Sequence, residues 1–265
     1  MSFIKVKEIV KRLLQADRWY FYYINQKYNL NLSFQSNRNQ INIFKEVFYH
    51  KVYDLGFPKG IENGVIVDIG AHYGYFSIYA SKRLGNHSTV YAVEASKDNF
   101  FHLRQNIDAS KVNNITAFQM GISGVTSDRM LYNAKSWNNS LFADYLDHMQ
   151  EGDIVICLSL ADFFNAQKIQ RVDFLKIDCE GAEHEILQHA DKETLRKIKI
   201  ISMEIHDMRH CGWSSDKTLD ILMGAGFEPV YSDYETKKHK RGYNAKVVMK
   251  MTETNKPISL ASSLS

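Results

Sequence analysis

The spacing of apolar and polar positions changes character at about residue 65 of this chain. Upstream, apolar residues recur at helical intervals, which predicts one or two helices over residues 1–32 and a further helix over residues 40–56. Downstream, short apolar runs alternate with amphipathic stretches, as in a succession of strand and helix units. Such units imply a parallel sheet with right-handed crossovers and with helices on both of its faces.

The apolar runs of this second part predict strands in the order VIVDI, STVYAVE, ITAFQM, IVICLSL, VDFLKID, IKIISMEIH, FEPVYS and AKVVMKM. The helices between them are predicted at residues 75–84 and 98–109 and in ADFFNAQKI, GAEHEILQHA and DKTLDILMGAG, with Ser159 placed to cap the third. No helix is predicted between the last two strands, so the final strand should run antiparallel. Residues 121–152 are irregular and polar, and we expect an insertion there rather than part of the core.

These elements predict an α/β fold of the Rossmann-like type, with a mostly parallel sheet, helices on both of its faces and an N-terminal helical extension. We expect the extension to cover residues 1–60, the sheet domain residues 61–252, and a flexible polar tail residues 253–265. The length of 265 residues suits one large domain with such an extension. Because 45% of the residues are apolar and 24% are charged, the composition is that of a globular protein with a sizeable core.

The stretch VIVDIGAHYGYFSIYA carries the first chemical signal, a strand followed by a loop with Gly70 and Gly74 and then a helix. This unit holds the adenosine end of nucleotide-like cofactors. The loop departs from the dinucleotide pattern G-x-G-x-x-G because His72 occupies the position of its middle glycine. Asp68, at the end of the strand, would repel a pyrophosphate but suits a cationic ligand such as an amino group or a sulfonium.

Glu94 ends the next predicted strand, 20 residues beyond Gly74. An acid at this place can accept two hydrogen bonds from the vicinal hydroxyls of a ribose. S-adenosylmethionine combines such a ribose with an amino group and a sulfonium, so we expect it as the cofactor. Gly70 would allow the backbone to approach the ligand closely, and Gly74 would let the helix start against the strand.

Four polar residues lie at the ends of the predicted strands, namely Asp68, Glu94, Asp178 and His206. In parallel sheets of this kind, ligands bind beyond the carboxyl ends of the strands. His206 is our first candidate for a catalytic base, because imidazole titrates near neutral pH. The alternative is a hydrogen-bonded loop histidine without a chemical role.

Asp178, Glu180 and Glu183 place three carboxylates within six residues. On a helix that begins near Glu180, Glu180 and Glu183 would share a face. Three roles stay open for these acids: a catalytic base, oxygen ligands of a Mg²⁺ site with His206 or Asp207 nearby, and capping of the helix. Because no ligand spacing here is diagnostic, we predict no metal site and keep a divalent metal only as an alternative.

The chain resembles the FkbM-type methyltransferases, a family of class I S-adenosylmethionine-dependent enzymes, over roughly Glu46 to His206. The segments that carry the resemblance are VDIGAHYGYFS, YAVEAS, FLKIDCEGAEHEIL and MEIHD. The most specific of them contains the pattern D-x-E-G-x-E, which begins at Asp178. His72 departs from the family's GAN-x-G loop, in which an asparagine is common at that position.

The resemblance implies the seven-stranded, mostly parallel sheet of the class I methyltransferases. It also implies transfer of a methyl group to a hydroxyl oxygen, often on a sugar, a glycan or a natural product. It implies cofactor contacts by Asp68, Gly70, Gly74 and Ser77 at the methionine end, by Glu94 and Ser96 at the ribose, and by Met120 and Gly121 at the adenine. The catalytic candidates are His206, Asp178 and Glu180. Two other classes remain as alternatives: an NAD-dependent oxidoreductase, which His72 and Asp68 disfavour, and a non-catalytic scaffold with the same fold.

The net charge and the cysteine content limit the partners and the cellular location that we expect for the protein. A net charge of +3 is too small to demand a nucleic-acid partner. The three cysteines form no C-x-x-C pair, and we expect a reducing, cytoplasmic location. No apolar run approaches the roughly 18 residues of a membrane-spanning helix, so we expect no transmembrane segment.

Two segments have interpretations that stay open. The block WYFYYI follows a basic amphipathic stretch, and it belongs either to a helix packed on the domain or at a homo-oligomer interface, or to weak peripheral contact with a membrane. We favour packing, because the aromatic residues do not keep to one helical face.

Trp137, Asn138 and Asn139 could stack on a sugar and bind it through amide groups, or form a surface loop. A small-molecule or glycan acceptor is the expected partner.

Overall fold

The computed structural model describes the chain over residues 3–32, 38–133, 139–143 and 150–252. The helices are α1 (Phe3–Tyr28), α2 (Arg38–Phe48), α3 (Tyr75–Leu84), α4 (Lys97–Ser110), α5 (Leu160–Ala166), α6 (Ala182–His189), α7 (Lys192–Arg196), α8 (Ser215–Ala225) and α9 (Tyr234–Lys237). The strands are β1 (Val65–Ile69), β2 (Thr89–Glu94), β3 (Ile115–Gln119), β4 (Gly121–Ser123), β5 (Ser127–Asn133), β6 (Asn139–Ser140), β7 (Gln150–Ser159), β8 (Phe174–Ile177), β9 (Ile200–His206), β10 (Phe227–Ser232) and β11 (Asn244–Met251). The predicted tail over residues 253–265 lies outside the described residues.

Seven strands form the main sheet, in the order β10-β11-β9-β8-β1-β2-β3. Strands β1, β2, β3, β8 and β9 run parallel, whereas β11 is antiparallel to both β9 and β10. The predicted seven-stranded, mostly parallel sheet and its antiparallel last strand are therefore confirmed. Strand β1 has β2 on one side and β8 on the other, so the direction in which successive strands are added reverses at β1. Such a switch point is where open α/β sheets bind ligands.

The central strands are apolar on both faces because both faces of the sheet are covered. Ile66 of β1 and Phe174 of β8 join the apolar core that contains side chains of α2 and α3. The next residues along these strands, Val67 and Leu175, join a second core that contains side chains of α5 and α6. Successive side chains of a strand point to opposite faces, so β1 and β8 connect the two cores.

A second sheet, in the order β4-β7-β5-β6, occupies the region that was expected to be an irregular insertion. That expectation is wrong over the described residues of 121–152, because Ile122 of β4 and Leu131 of β5 are buried in the same core as the main sheet. The predicted strand IVICLSL is confirmed as most of β7. The strands β4 and β6 are only three and two residues long, too short to show an alternating pattern. In β7, Ile154 and Ile156 are exposed, which reverses the usual relation between apolar character and burial.

Some helix predictions hold and others need correction. The helix predicted over residues 40–56 ends at residue 48, because turns follow in which Lys51 and Gly56 adopt φ values of 50° and 75°. The short helix α9 lies between β10 and β11, where none was predicted. The bounds of α3 are as predicted, and Ser159 caps α5 by accepting a backbone hydrogen bond from its first turn.

The N-terminal helices pack on the face of the sheet that carries α3. The rings of Phe44 and Tyr75 lie 5.4 Å apart, those of Phe48 and Tyr79 lie 5.6 Å apart, and Phe21 of α1 lies 4.2 Å from Phe44. All five side chains belong to one buried cluster. The packing places α2 beside the carboxyl end of β1. Within the described part of the chain, no helix combines the length and apolar character needed to cross a membrane.

Candidate active site

A cavity of about 350 Å³ lies at the carboxyl ends of β1, β2, β8 and β9, with α2 and the second sheet as further walls. This volume is within the ~300–1,000 Å³ that is typical of small-molecule sites. The predicted site residues that line the cavity are Gly70, Glu94, Met120, Gly121, Asp178, Glu180 and His206. Those that do not line it are Asp68, Gly74, Ser77 and Ser96.

The two loop glycines are required by contacts within the protein. Gly70 has a φ of 76°, and a Cβ atom there would lie 1.9 Å from the carbonyl oxygen of Asp178. Gly74 has a φ of 78°, and its Cβ atom would lie 2.3 Å from Leu103 Cδ1 of α4. The close approach expected of Gly70 is therefore made by the loop after β8. Gly74 lets α3 start against α4 rather than against the strand.

Glu94 ends β2 with its carboxylate held by the backbone. The backbone N–H of His72 donates to Oε2 at 2.7 Å, and that of Ser96 donates to Oε1 at 2.9 Å. Burial raises the pKa of Glu94, and these hydrogen bonds oppose the rise. Each carboxylate oxygen can accept a further bond, so Glu94 retains acceptor capacity towards the cavity.

His72 presents unused hydrogen-bonding groups on the cavity wall. Both of its ring nitrogens are buried, and neither has a hydrogen-bond partner among the described residues. Burial, followed by the nearby charge of Lys176, lowers the pKa of His72 to about 4, so the ring is neutral at pH 7. A neutral imidazole has one donor and one acceptor. A ligand with polar atoms beside this loop would satisfy them.

Asp68 is completely buried behind the loop and does not meet the cavity. Ser77 Oγ donates to Asp68 Oδ2 at 2.6 Å, and Lys176 Nζ lies 3.1 Å from Oδ1. Lys176 also donates to the carbonyl oxygen of Gly70 at 3.0 Å. The expectation that Asp68 offers an uncompensated charge to a cationic ligand is corrected, because Lys176 neutralises it at contact distance. Asp68, Ser77 and Lys176 hold the glycine loop in place instead.

His206 is buried at the end of β9 and is paired with Glu183 of α6. Its Nδ1 lies 2.9 Å from Glu183 Oε1, which also accepts a hydrogen bond from the backbone N–H of His206 at 2.7 Å. Burial lowers the pKa of His206, but the charge and hydrogen bond of Glu183 outweigh burial and raise the pKa to about 10. Burial raises the pKa of Glu183, but His206 outweighs it and lowers the pKa to about 2. The pair is imidazolium and carboxylate at pH 7, which argues against His206 as a neutral base.

Glu180 precedes α6 rather than belonging to it. The helix starts at Ala182, and Glu180 and Gly181 adopt φ values of 53° and 103°. Glu180 and Glu183 therefore do not share a helical face, contrary to the prediction. Glu183 is buried against His206, whereas Glu180 lines the cavity with its Oε2 3.5 Å from His206 Nε2.

Acids and cations alternate around the end of the cavity next to β8 and β9. Among the described residues, Asp178, Glu204 and His206 have donor atoms within 4.8 Å of one another and could together hold a metal ion. Lys176 Nζ lies 3.9 Å from Asp178 Oδ2 on one side of this group. Burial lowers the pKa of Lys246 to about 8, which still leaves this second cation mostly charged at pH 7. A metal ion would have to displace or tolerate these fixed charges.

Comparison with known proteins assigns this arrangement to a family. A family profile described as "Methyltransferase FkbM domain" matches residues 68–229, which is more than half of the chain. The chain belongs to the FkbM methyltransferase family. The resemblance carried by the glycine loop and the D-x-E-G-x-E segment is thereby confirmed.

Two relatives of this FkbM methyltransferase that are similar in sequence are themselves methyltransferases. Methyltransferase 1 of Beauveria bassiana is 30% identical over 205 residues, which cover 70% of this chain and 80% of that protein. Methyltransferase sdnD of Sordaria araneosa is 25% identical over 223 residues, which cover 72% of this chain and 80% of that protein. A solved SAM-dependent methyltransferase from Aquifex aeolicus is 14% identical, with a TM-score of 0.44 over 78% of this chain and 92% of that one. The chain is an S-adenosylmethionine-dependent methyltransferase of this family.

Two charged residues of the FkbM methyltransferase site were missed by the sequence reasoning. Lys176 and Glu204 line the cavity, and each lies inside an otherwise apolar strand, VDFLKID or IKIISMEIH. A charge in a buried strand needs a partner or a purpose, and that signal was available in the sequence.

Other cavity residues of the FkbM methyltransferase carried no such signal. Glu46 of α2 and Tyr53 of the turn after it reach the site only because the N-terminal helices pack beside β1. Of the predicted sugar contacts, Asn139 lines the cavity. Trp137 and Asn138 lie outside the described residues.

Proposed function

We propose that this methyltransferase transfers the methyl group of S-adenosylmethionine to a hydroxyl oxygen of a sugar, a glycan or a related small molecule. The observation that carries the proposal is that one cavity has two chemically different ends. The end next to β1, β2 and β3 offers backbone, an imidazole and one carboxylate. The end next to β8 and β9 offers a cluster of carboxylates beside fixed cations.

The first end suits the cofactor. Glu94 would accept hydrogen bonds from the ribose hydroxyls, and Met120 and Gly121 would lie beside the adenine, since they follow β3 on the cavity wall. Gly70 and His72 would face the methionine end, where the two unpartnered ring nitrogens of His72 match its polar atoms. When bound, S-adenosylmethionine supplies a methyl group activated by its positive sulfur.

The predicted cofactor residues behind the wall have supporting roles in this proposal. Asp68 and Ser77 position the glycine loop through Lys176, and Gly74 provides the start of α3. Ser96 caps α4 and donates its backbone N–H to Glu94. Their replacement should weaken cofactor binding through misplacement of the loop and of Glu94.

The second end suits a polyhydroxyl acceptor. Carboxylates accept strong hydrogen bonds from hydroxyl groups, and Asp178, Glu180 and Glu204 all line this part of the cavity. Asn139 adds an amide on the side of the second sheet. Held in this way, an acceptor hydroxyl can be aligned for in-line displacement, to which positioning contributes several kcal/mol. The cations Lys176 and Lys246 oppose a metal ion here, so the proposal contains none.

Two measurements test the proposed function in sequence. Isothermal titration with S-adenosylhomocysteine should give micromolar binding, whereas NAD should not bind. Incubation with tritiated S-adenosylmethionine and a panel of glycosides, amines and peptides should then label glycosides. Binding of NAD in place of S-adenosylhomocysteine would favour an oxidoreductase. Binding of neither would favour the scaffold, and labelling confined to amines or peptides would overturn the proposed acceptor class.

A further inference from the structure

Glu204 is an acid of the cavity wall whose carboxylate has no hydrogen-bond or ion-pair partner in the part of the chain that the structure describes. It lies on β9 two residues before His206, so the two side chains project from the same face of the strand. Its side chain lines the cavity and is partly exposed there. Among the described residues, Glu204 makes no side-chain hydrogen bond and no ion pair. The carboxylate of Glu204 can therefore accept a hydrogen bond from a ligand bound at this end of the cavity.

The neighbouring candidates for a base are already engaged. His206 uses Nδ1 on Glu183, and its Nε2 faces Glu180 Oε2. Asp178 accepts a hydrogen bond from the hydroxyl of Tyr53 at 3.4 Å and lies 3.9 Å from Lys176 Nζ. Among the acids on β9 and on the loop after β8, Glu204 is thus the one whose carboxylate makes no hydrogen bond or ion pair with the described residues.

We propose that Glu204 is the catalytic base, which takes the proton from the acceptor hydroxyl as the methyl group is transferred. This inference rests on the proposed function. The O–H electron pair stays on the acceptor oxygen, an oxygen electron pair forms the new O–C bond, and the electron pair of the broken C–S bond remains on sulfur. The proton moves to a carboxylate oxygen of Glu204 and leaves to solvent after product release. No oxidant, reductant or metal is needed for this balance.

The charges around Glu204 suit it to this role. Asp178 and Glu180 face it from the loop after β8, Glu46 from α2, and His206 from β9. Lys246 of β11 lies beside it, as does Tyr53. Burial, followed by the negative charge of Asp178, raises the pKa of Glu204 to about 7. A base with a pKa near the working pH combines an available ionised form with good proton affinity.

Sinefungin provides a test that needs no knowledge of the acceptor. In this analogue, a carbon that bears an ammonium group replaces the sulfonium with its methyl group, so the added charge points where the methyl group would lie. If Glu204 faces that position, the wild-type protein should prefer sinefungin to S-adenosylhomocysteine. The substitution Glu204→Gln should reduce this preference about tenfold while the affinity for S-adenosylhomocysteine stays unchanged. The matched control is Glu228→Gln, on exposed β10, which should leave both affinities unchanged.

The pH dependence of the same preference gives a second readout. In the wild type, the preference for sinefungin should fall as the pH drops below about 7 and Glu204 takes up a proton. In Glu204→Gln, the preference should not depend on pH in this range. If both ligands bind the wild type but Glu204→Gln leaves their ratio intact, Glu204 is not the base. If neither ligand binds, the proposed function itself fails.

A third experiment distinguishes whether Glu204 is a free base or a metal ligand. The titrations are repeated with EDTA and with added Mg²⁺ in the absence of chelator. The proposal expects the same preference for sinefungin in both. A preference that appears or disappears with Mg²⁺ would assign Glu204 to a metal site with Asp178 and His206, and it would overturn the role of free base.

Discussion

At the residue scale, His206 and Glu183 form a buried ion pair at the end of β9. Glu183 is fully buried, and its carboxylate also accepts a hydrogen bond from the backbone N–H of Gly181 at 2.9 Å. The pair therefore ties the start of α6 to the end of β9. Because His206 holds its proton, it acts as a fixed positive charge beside Glu180 and Glu204. The charges of this pair are thus set before any ligand binds.

We predict that Glu183→Gln destabilises the protein in a pH-dependent manner. The pKa of Glu183 is lowered to about 2, so its contribution is present above the ordinary value of 4.5 and is lost as the pH falls towards 2. The pKa of His206 is raised to about 10, so its contribution is full below 6.5 and is lost as the pH rises to 10. The loss on substitution should therefore be largest between these limits, at about 3–5 kcal/mol for a broken buried pair. Urea unfolding across pH, with exposed Glu151→Gln as control, measures it, and a loss that does not vary with pH would contradict the prediction.

Glu94 is predicted to control cofactor affinity. Glu94→Ala removes an acceptor from the cavity and leaves the backbone N–H groups of His72 and Ser96 without their partner. Hydrogen bonds to charged groups contribute roughly 1.5–3 kcal/mol each, so the affinity for S-adenosylhomocysteine should fall about 10- to 100-fold. Calorimetric titration measures this, with Glu228→Ala as the control. An unchanged affinity in a variant that still unfolds cooperatively would remove Glu94 from the cofactor site.

At the scale of elements, the loops after β1 and β8 form one unit. Asp178 N donates to the carbonyl oxygen of Ile69 at 3.1 Å, and the carbonyl oxygen of Asp178 lies against the α-carbon of Gly70. Lys176 of β8 strengthens this connection, because its Nζ donates to the carbonyl oxygen of Gly70 and pairs with Asp68. A movement of the loop after β1 therefore also moves the loop after β8, and both loops line the cavity.

This contact predicts a large difference between two glycine substitutions. Gly70→Ala would place Cβ 1.9 Å from a backbone oxygen, so the two loops must separate. Gly60→Ala has a similar φ of 64° but no atom within 4 Å of its Cβ, and it should cost only ~1–2 kcal/mol of left-handed strain. Gly70→Ala should cost about 3 kcal/mol or more and should abolish S-adenosylhomocysteine binding. Urea unfolding and titration of both variants measure this, and equal losses of stability would contradict it.

The secondary-structure elements differ in how well they can be predicted from the sequence. Strands β1, β2, β8 and β9 are mostly apolar runs with an acid or a histidine at or beside their carboxyl ends. Both their existence and the location of the ligand site could therefore be predicted. In the second sheet, the run IVICLSL predicted most of β7, but β4 and β6 are too short for a periodic signal, so the sheet itself could not be predicted. The roles of site residues were harder still. Asp68 looks like a ligand in the sequence, and only packing shows that Lys176 occupies it.

At the scale of the whole molecule, the predicted boundary at residue 60 divides a shared core. Phe44 and Phe48, from the predicted extension, lie among Tyr75, Tyr79 and other buried side chains of the sheet domain. The same extension supplies Glu46 to the cavity wall. Residues 38–60 are therefore an integral part of the site, although they precede the sheet domain in sequence. We expect the division into an extension and a cofactor domain to fail as a division into independent folding units.

Truncation of the chain tests this expectation. A chain of residues 61–265 should lack a cooperative unfolding transition, because removal of a single buried phenylalanine side chain already costs about 3–5 kcal/mol and Phe44 and Phe48 are both lost. A chain of residues 16–265 retains Phe21 and the α2 contacts to α3, and it should unfold cooperatively and bind S-adenosylhomocysteine like the full chain. The substitution Phe44→Ala in the full chain serves as the milder form of the same change and should lower the unfolding free energy by about 3 kcal/mol or more. Thermal unfolding and titration of the three proteins distinguish the cases. If residues 61–265 fold and bind the ligand with full affinity, the N-terminal helices are an appendage, and the cavity wall formed by α2 has no part in cofactor binding.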